Sequence, residues 1–178
     1  MELYLCPNTT KRADAHALLA YAVRHHWGLA TLPSASRTDH DKPFFPDHPA
    51  LHFNLSHSGT FALCVLDDSP VGADIEVIRP HHPKLAQRIC SAEELVWLDK
   101  QVDKLSALCQ LWVGKEALAK YRGTGLTSLR DLCPPLPPAD EQDGLLFHRI
   151  TTSNYTLCVC GHTTPSPLRW LDMEEISL

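Results

Sequence analysis

Val71-Gly72-Ala73-Asp74-Ile75-Glu76 has the small and β-branched apolar residues of a buried strand, yet it carries two carboxylates one residue apart. A strand turns successive side chains to opposite faces, so Asp74 and Glu76 share a face, roughly 6 to 7 Å apart. Burying charge is costly unless something pairs with it. The stretch therefore implies an element of sheet together with a cationic partner brought from elsewhere in the chain.

Working outward, FNLS (residues 53–56) and FALCVL (residues 61–66) also read as strands, and the turn Asp67-Asp68-Ser69-Pro70 leads from the second into VGADIEV. At the start, ELYLC suggests a short strand. Asn8 to Thr10 offer N-cap candidates for a helix whose apolar stripe is Ala15, Leu18, Leu19, Ala22 and Val23, stopped by Gly28. A polar loop punctuated by Pro33, Pro43, Pro46 and Pro49 separates that helix from the strands. After Pro80 the period becomes helical. Ser91-Ala92-Glu93-Glu94 resembles a capping box ahead of Leu95, Leu98 and Val102, and a longer helix is expected from about Leu105 to Tyr121. PPLPPADEQDG interrupts, and LLFHRITT and NYTLCVCG read as strands, with a last one near residues 169–171. Each half thus offers a helix and a small antiparallel sheet, an α+β pattern divided as 1–80 and 81–178, without any sequence repeat.

The chain has 178 residues, 44% of them hydrophobic, enough for one domain or two small subdomains. No apolar run approaches bilayer length, and the first residues lack the basic flank and apolar stretch of a signal peptide, so a cytoplasmic protein without membrane association is expected. Seven cysteines without a CxxC pair argue against a disulfide framework or a zinc ribbon, and Cys158 and Cys160 read as buried small residues. Of eleven histidines, His25-His26 and His81-His82 are adjacent pairs that diverge on any regular element. A net charge of −5 speaks against a general nucleic-acid binder, so an anionic partner must be met by a local basic patch.

The partner for the acids is suggested by LCQLWVGKEALAKYRGTGL (residues 108–126). Leu108, Leu111, Trp112 and Ala119 form an inward stripe, Glu116 falls inside it, and Lys120 is its neighbour one turn on. Alone, such a pair reads as an ordinary surface ion pair. With Asp74 and Glu76 it completes three hard oxygen donors of the kind that hold Mg²⁺, an ion that usually shares its coordination with substrate phosphates. Lys115 and Lys120 on the helix, with Lys42, Ser56 and His57 from the other half, are the candidates to hold that phosphate.

The blocks DKPFFPDHPALHFNLSHSG, VGADIE and WVGKEALAKYRGTGL, in that order and spacing, resemble the three signature blocks of the 4′-phosphopantetheinyl transferases of the Sfp type. The resemblance implies two similar α+β subdomains, each a helix on a small antiparallel sheet, related by a pseudo-twofold with the active site between them. It implies a Mg²⁺-dependent enzyme, a holo-[acyl-carrier-protein] synthase, which moves the 4′-phosphopantetheine arm of coenzyme A to a serine of an apo acyl or peptidyl carrier protein. Asp74, Glu76 and Glu116 would hold Mg²⁺. Lys120 would neutralise a phosphate, Lys42, Ser56 and His57 would contact the nucleotide, and Lys115 would be a further phosphate contact. Glu116 is also the candidate general base. With both sides of the cleft in one chain, a monomer is expected.

Three departures from the family pattern stand out. Asp41 replaces the Gly before Lys-Pro, Val113 replaces a small polar residue, and Gly114 sits mid-helix at roughly 1 kcal/mol relative to Ala. Lys11, Arg12 and Arg24 are candidates for a 3′-phosphate contact, Lys84, Arg88 and Arg122 for carrier docking, and Glu94 for either a cap or the metal shell. Rival readings are a coenzyme A or carrier binder without transfer, and a metal-dependent nucleotide hydrolase.

Overall fold

The computed structural model describes residues 1–9, 11–82, 84–125 and 129–176, without the side chain of Arg12. Thr10, Leu126 and the Arg12 side chain, all named above, lie outside the described residues. In chain order the elements are β1 (Glu2–Cys6), α1 (Arg12–Trp27), β2 (Ser36–Arg37), β3 (Pro43–Phe44), β4 (His52–Ser58), β5 (Phe61–Asp67), β6 (Gly72–Val77), α2 (Leu85–Ile89), α3 (Ala92–Asp99), α4 (Lys104–Arg122), β7 (Glu141–Gln142), β8 (Leu145–Thr151), β9 (Tyr155–Gly161), β10 (Arg169–Trp170) and α5 (Met173–Ile176). None of the described helices is long and apolar enough to cross a membrane.

Two four-stranded sheets, ordered β10-β1-β5-β4 and β6-β9-β8-β7, lie between α1 and α4, and β2 and β3 form a separate small hairpin. On one side Leu18, Leu19, Ala22 and Val23 of α1 pack on Tyr4, Cys6, Ala62, Cys64 and Phe53 of the first sheet. Between the sheets lie Leu3, Leu5, Leu63 and Val65 against Ala73, Ile75, Leu157 and Val159. On the far side Val113, Ala117 and Leu118 of α4 cover Phe147, Cys158 and Cys160. Fully burying a side chain of this size is worth about 1.5–3 kcal/mol, so three apolar layers in one chain give a mixed α+β fold with substantial driving force. The thiols in these layers belong to that apolar interior. Burial pushes Cys64, Cys158 and Cys160 up, away from the reactive thiolate.

The expected elements form, with three differences. Val102, expected to continue the apolar stripe with Leu95 and Leu98, lies beyond the end of α3 and is fully exposed. The N-cap of α1 is Lys11, whose N–H is accepted by the Asp14 carboxylate at 2.9 Å, and Asn8 sits apart at φ 58°. More consequential is the place of VGADIE. Sequence order puts β6 with the first half, but it pairs with β9 in the second sheet, with Asp74 opposite Cys158 and Glu76 opposite Thr156. In return β10 comes back to pair with β1, the one parallel pairing in the first sheet. Sheet membership thus changes between β5 and β6, near Pro70, and changes back at β10. A strand with apolar residues on one face and acids on the other fits this place, because Ala73 and Ile75 fill the layer between sheets while Asp74 and Glu76 turn toward α4.

Candidate active site

Gly72 explains how the helix reaches the acids. A Cβ there would stand 2.1 Å from the Ala117 carbonyl oxygen and 2.4 Å from the Tyr121 nitrogen, so the α4 backbone rests directly on β6. Two residues along the same face, Asp74 comes to lie under the last turns of α4. Gly123, at φ +66°, closes the helix with its N–H bonded to the Ala119 carbonyl at 2.8 Å.

Asp74 is 3% exposed and Glu116 is 8% exposed. Asp74 Oδ1 accepts from Ser56 Oγ at 2.6 Å and from Lys120 Nζ at 2.6 Å, and Lys120 Nζ is also 3.7 Å from Glu116 Oε2. Lys120 therefore lies between the strand acid and the helix acid. Asp74 Oδ2 is buried with no hydrogen-bond partner among the described residues. Glu76, further along β6, pairs with Arg79 at 3.4 Å. Burial first, then the charge of Asp74 and of Glu76, against the opposing pull of Lys120, push Glu116 up to about 7. Among the described residues no group of three His, Cys, Asp or Glu side chains is gathered as a metal-ligating cluster.

Beside these acids opens a cavity of about 980 Å³, bounded by α1, the 32–45 segment, β4 and the end of α4. Its apolar wall includes Leu19, Leu32, Phe45 and Phe53, and its polar wall includes Lys42, Ser56, His57 and Lys120. Four of the expected residues thus share one cavity wall. Asp74, Glu76 and Glu116 are not on that wall; Asp74 connects to it through Ser56 and Lys120, and Glu116 through Lys120. Lys42 Nζ donates to the Tyr121 carbonyl at 2.8 Å, at the C-terminal end of α4 where the helix dipole favours a cation. Burial lowers its pKa.

Lys115 does not join the cavity, which corrects its expected phosphate contact. It is fully buried on the other side of α4, ion-paired to Glu94 Oε1 at 2.8 Å and donating to the carbonyls of Leu129 (3.1 Å) and Leu132 (2.5 Å). Lys and Glu differ by one residue in sequence, about 100° of helical turn, and α4 buries both flanks. Glu94 in turn closes the capping box of α3, with Oε2 accepting the Ser91 N–H at 2.6 Å and Ser91 Oγ accepting the Glu94 N–H at 3.2 Å. Its two oxygens are thereby engaged in the cap and the ion pair. Lys11 and Arg24 are exposed and do not line the cavity. Lys84 at the start of α2, Arg88 in its last turn and Arg122 at the end of α4 are exposed.

Two features were not anticipated from the residues. Asp41 adopts φ 67°, the left-handed conformation that glycine takes most readily, and its carboxylate pairs with Arg37 at 2.9 Å. The other is a seam. Asn54 Oδ1, Ser56 Oγ and Ser58 Oγ of β4 accept the backbone N–H groups of Ala73 (3.1 Å), Ile75 (3.4 Å) and Val77 (3.1 Å) on β6. Side chains rather than backbone thus join the edges of the two sheets. The signal was present as polar residues at every second position of FNLSHS.

A family model described as the 4′-phosphopantetheinyl transferase superfamily matches residues 70–169. The chain is 38% identical over 95 residues to 4′-phosphopantetheinyl transferase Sfp of Bacillus subtilis, covering 52% of this chain and 42% of that protein. It is 35% identical over 144 residues to 4′-phosphopantetheinyl transferase AcpT of Salmonella typhimurium, covering 78% of this chain and 71% of that one. To AcpT of Escherichia coli O157:H7 it is 31% identical over 153 residues, covering 81% and 76%. The match thus spans about two fifths of the Sfp length and about three quarters of the AcpT proteins.

Proposed function

The chain belongs to the 4′-phosphopantetheinyl transferase superfamily, and on that premise we propose that it transfers the 4′-phosphopantetheine arm of coenzyme A to a serine hydroxyl of an apo acyl or peptidyl carrier protein. The serine oxygen bonds to the phosphorus that carries the pantetheine, the bond from that phosphorus to the bridging pyrophosphate oxygen breaks, and adenosine 3′,5′-bisphosphate leaves. The observation that carries this reading is Lys120, which reaches from the wall of a cavity of about 980 Å³ to Asp74 and toward Glu116. A lysine at that spot serves an anionic substrate, and acids behind it serve a cation and a proton.

Asp74, Glu76 and Glu116 would hold Mg²⁺. The three offer carboxylate oxygens, the donor type a hard divalent cation takes, and Asp74 Oδ2 is buried without a hydrogen-bond partner among the described residues; the binding of the ion would have to draw the three together, since they do not stand as a cluster here. The bound ion would offset charge on the pyrophosphate oxygens as the leaving group departs. Lys120 supplies a second positive charge there, and Lys42 and His57 sit on the wall where the nucleotide phosphates would lie. The apolar wall at Leu19, Leu32, Phe45 and Phe53 suits a base or the pantetheine arm. Glu116, within reach of Lys120 behind the cavity wall, would be the group that accepts the serine proton. Exposed Lys84, Arg88 and Arg122 offer positive charge to an acidic carrier, and the protein would act as a cytoplasmic monomer.

The test is one incubation of purified protein with Mg²⁺, coenzyme A and an apo carrier, read by intact mass. A phosphopantetheine-sized gain on the carrier is expected. Release of adenosine bisphosphate without that gain would show a hydrolase, and neither product would show a binder.

A further inference from the structure

Ser56 lines the cavity, and the family pattern would make it a nucleotide contact. Its hydroxyl is already committed. A serine hydroxyl has one donor and two acceptor sites. Here the O–H donates to Asp74 Oδ1 at 2.6 Å, while the oxygen accepts from Lys120 Nζ at 3.1 Å and from the Ile75 N–H at 3.4 Å. A side chain that is 7% exposed and fully subscribed has nothing left to give a phosphate.

We propose that Ser56 is a positioning residue: it fixes the Asp74 carboxylate so that Oδ2 is the oxygen presented to a divalent cation. The reasoning starts from the seam. Asn54, Ser56 and Ser58 each accept one N–H from β6, so all three fasten the strand that carries the acids. Ser56 alone of the three also bonds a carboxylate on that strand. By holding Oδ1 from one side, with Lys120 holding it from another, it sets the rotation of the carboxyl plane and leaves Oδ2, which is buried, without a hydrogen-bond partner among the described residues. Groups that orient a ligating carboxylate typically change metal affinity by about 10–100-fold when removed. The seam makes the arrangement rigid: Ser56 belongs to the first sheet and Asp74 to the second, so the bond that aims the acid also joins the sheets.

This inference rests on the Mg²⁺ reading above, and the two are separable in one experiment. Mn²⁺ binding to the coenzyme A-loaded protein is followed by loss of the free-ion electron paramagnetic resonance signal, for the parent and for Ser56→Ala, Ser56→Thr, Ser58→Ala and Asp74→Ala. Coenzyme A affinity without metal and thermal stability are measured alongside. The expected result is that Ser56→Ala weakens Mn²⁺ about 10-fold, that Ser56→Thr, which keeps the hydroxyl, restores most of the affinity, and that Ser58→Ala leaves it unchanged. Each alanine variant loses one seam bond, and Ser56→Ala should lose more stability than Ser58→Ala because its bonds to Asp74 and Lys120 go as well. Coenzyme A affinity without metal should be unaltered in Ser56→Ala.

If Asp74→Ala binds Mn²⁺ like the parent, the metal reading itself fails. If Asp74→Ala loses Mn²⁺ but Ser56→Ala retains it, the positioning role is overturned and the metal reading stands. The role is equally overturned if Ser58→Ala weakens Mn²⁺ as much as Ser56→Ala, which would make the seam plain structure. A loss of coenzyme A affinity without metal, with Mn²⁺ affinity intact, would return Ser56 to the nucleotide.

Discussion

Two helices of similar length, 16 residues in α1 and 19 in α4, cover two four-stranded sheets, and they differ in what they bury. The buried residues of α1 are Ala15, Leu18, Leu19, Ala22 and Val23. Those of α4 include Lys115 and Glu116 among the alanines and leucines. A carboxylate brought into an apolar layer costs free energy unless it is paired, so the second helix carries charges that the first avoids. Two different answers to that cost lie side by side. Lys115 is satisfied by a carboxylate and two carbonyls and needs nothing more, whereas Glu116 has Lys120 only at 3.7 Å and two like charges nearby. The first arrangement is complete as structure; on the function proposed above, the second would be completed by a ligand.

The comparison is broken most severely at Glu116. Glu116→Gln keeps the shape and removes the charge, and we expect transfer to the carrier to fall by about 10²–10⁴-fold, while coenzyme A affinity stays within a few-fold. Near-parent turnover in the intact-mass assay would remove Glu116 from the chemistry. The same substitution has a signed consequence for stability. In metal-free protein Glu116 holds its proton up to a pH of about 7, against an ordinary value of 4.5, so between those values the folded chain binds more protons than the unfolded one. The unfolding free energy contributed by this group therefore falls as pH rises through that window. Urea melts in EDTA should show Glu116→Gln losing less stability than the parent from pH 4.5 to 7; parallel curves would refute the raised pKa.

Much of this frame is legible in the residues. The alternation of VGADIE and the capping box at Ser91 follow from local periodicity or local hydrogen bonding and appear where expected; the stripe of α4 is wider than its spacing suggests, since Val113 to Ala119 are all buried while Leu108 and Trp112 are only partly so. Which sheet β6 joins does not follow from them, because strand pairing is decided by distant partners: Ala73 and Ile75 would suit either sheet as apolar residues. Lys115 illustrates the same limit at one residue. Helical spacing places it a third of a turn from Glu116, but whether that direction meets a cavity or the α3 cap depends on how α3 returns. The seam was written as Asn-x-Ser-x-Ser, yet polar alternation on a strand ordinarily means solvent, and only the neighbouring sheet edge gives it another meaning.

The completed charge of α4 is tested by removing it. Lys115→Met leaves Glu94 buried without its cation and should cost about 3–5 kcal/mol, measured by denaturant melts. Leu18→Ala in α1, an apolar truncation, should cost about 2–5 kcal/mol. The two are similar in size but different in kind. Adding Glu94→Gln to Lys115→Met keeps an oxygen for the Ser91 cap and removes the stranded charge, so the double variant should be more stable than Lys115→Met alone. No partner exists that could rescue Leu18→Ala by losing a charge. A double variant no better than the single would mean that Glu94 does not feel Lys115, against their separation of 2.8 Å.

The smallest effect is expected in the first half, at the residue where the family pattern has glycine. Asp41 at φ 67° occupies a conformation that costs an ordinary residue about 1 kcal/mol, although Asp tolerates it better than most. Its bond to Arg37 joins two exposed side chains, 80% and 44% accessible, and such pairs contribute about 0–1 kcal/mol. Asp41→Gly relieves the backbone, loosens the unfolded chain and loses the pair, so the terms offset and stability should move by no more than about 0.5 kcal/mol. Asp41→Ala, which keeps a Cβ at positive φ and loses the pair, should be the less stable of the two. Both variants remove the carboxylate that neutralises Arg37 on the cavity wall, while its bond to the residue 41 carbonyl can remain. Coenzyme A affinity should therefore rise by a few-fold at low salt, with the gain shrinking as ionic strength increases. Weaker binding in both variants would mean that Asp41 itself shapes the loop for Lys42, whose N–H is accepted by Thr38 Oγ1 across the same turn at 3.2 Å, and that glycine in the family pattern and aspartate here solve that turn differently.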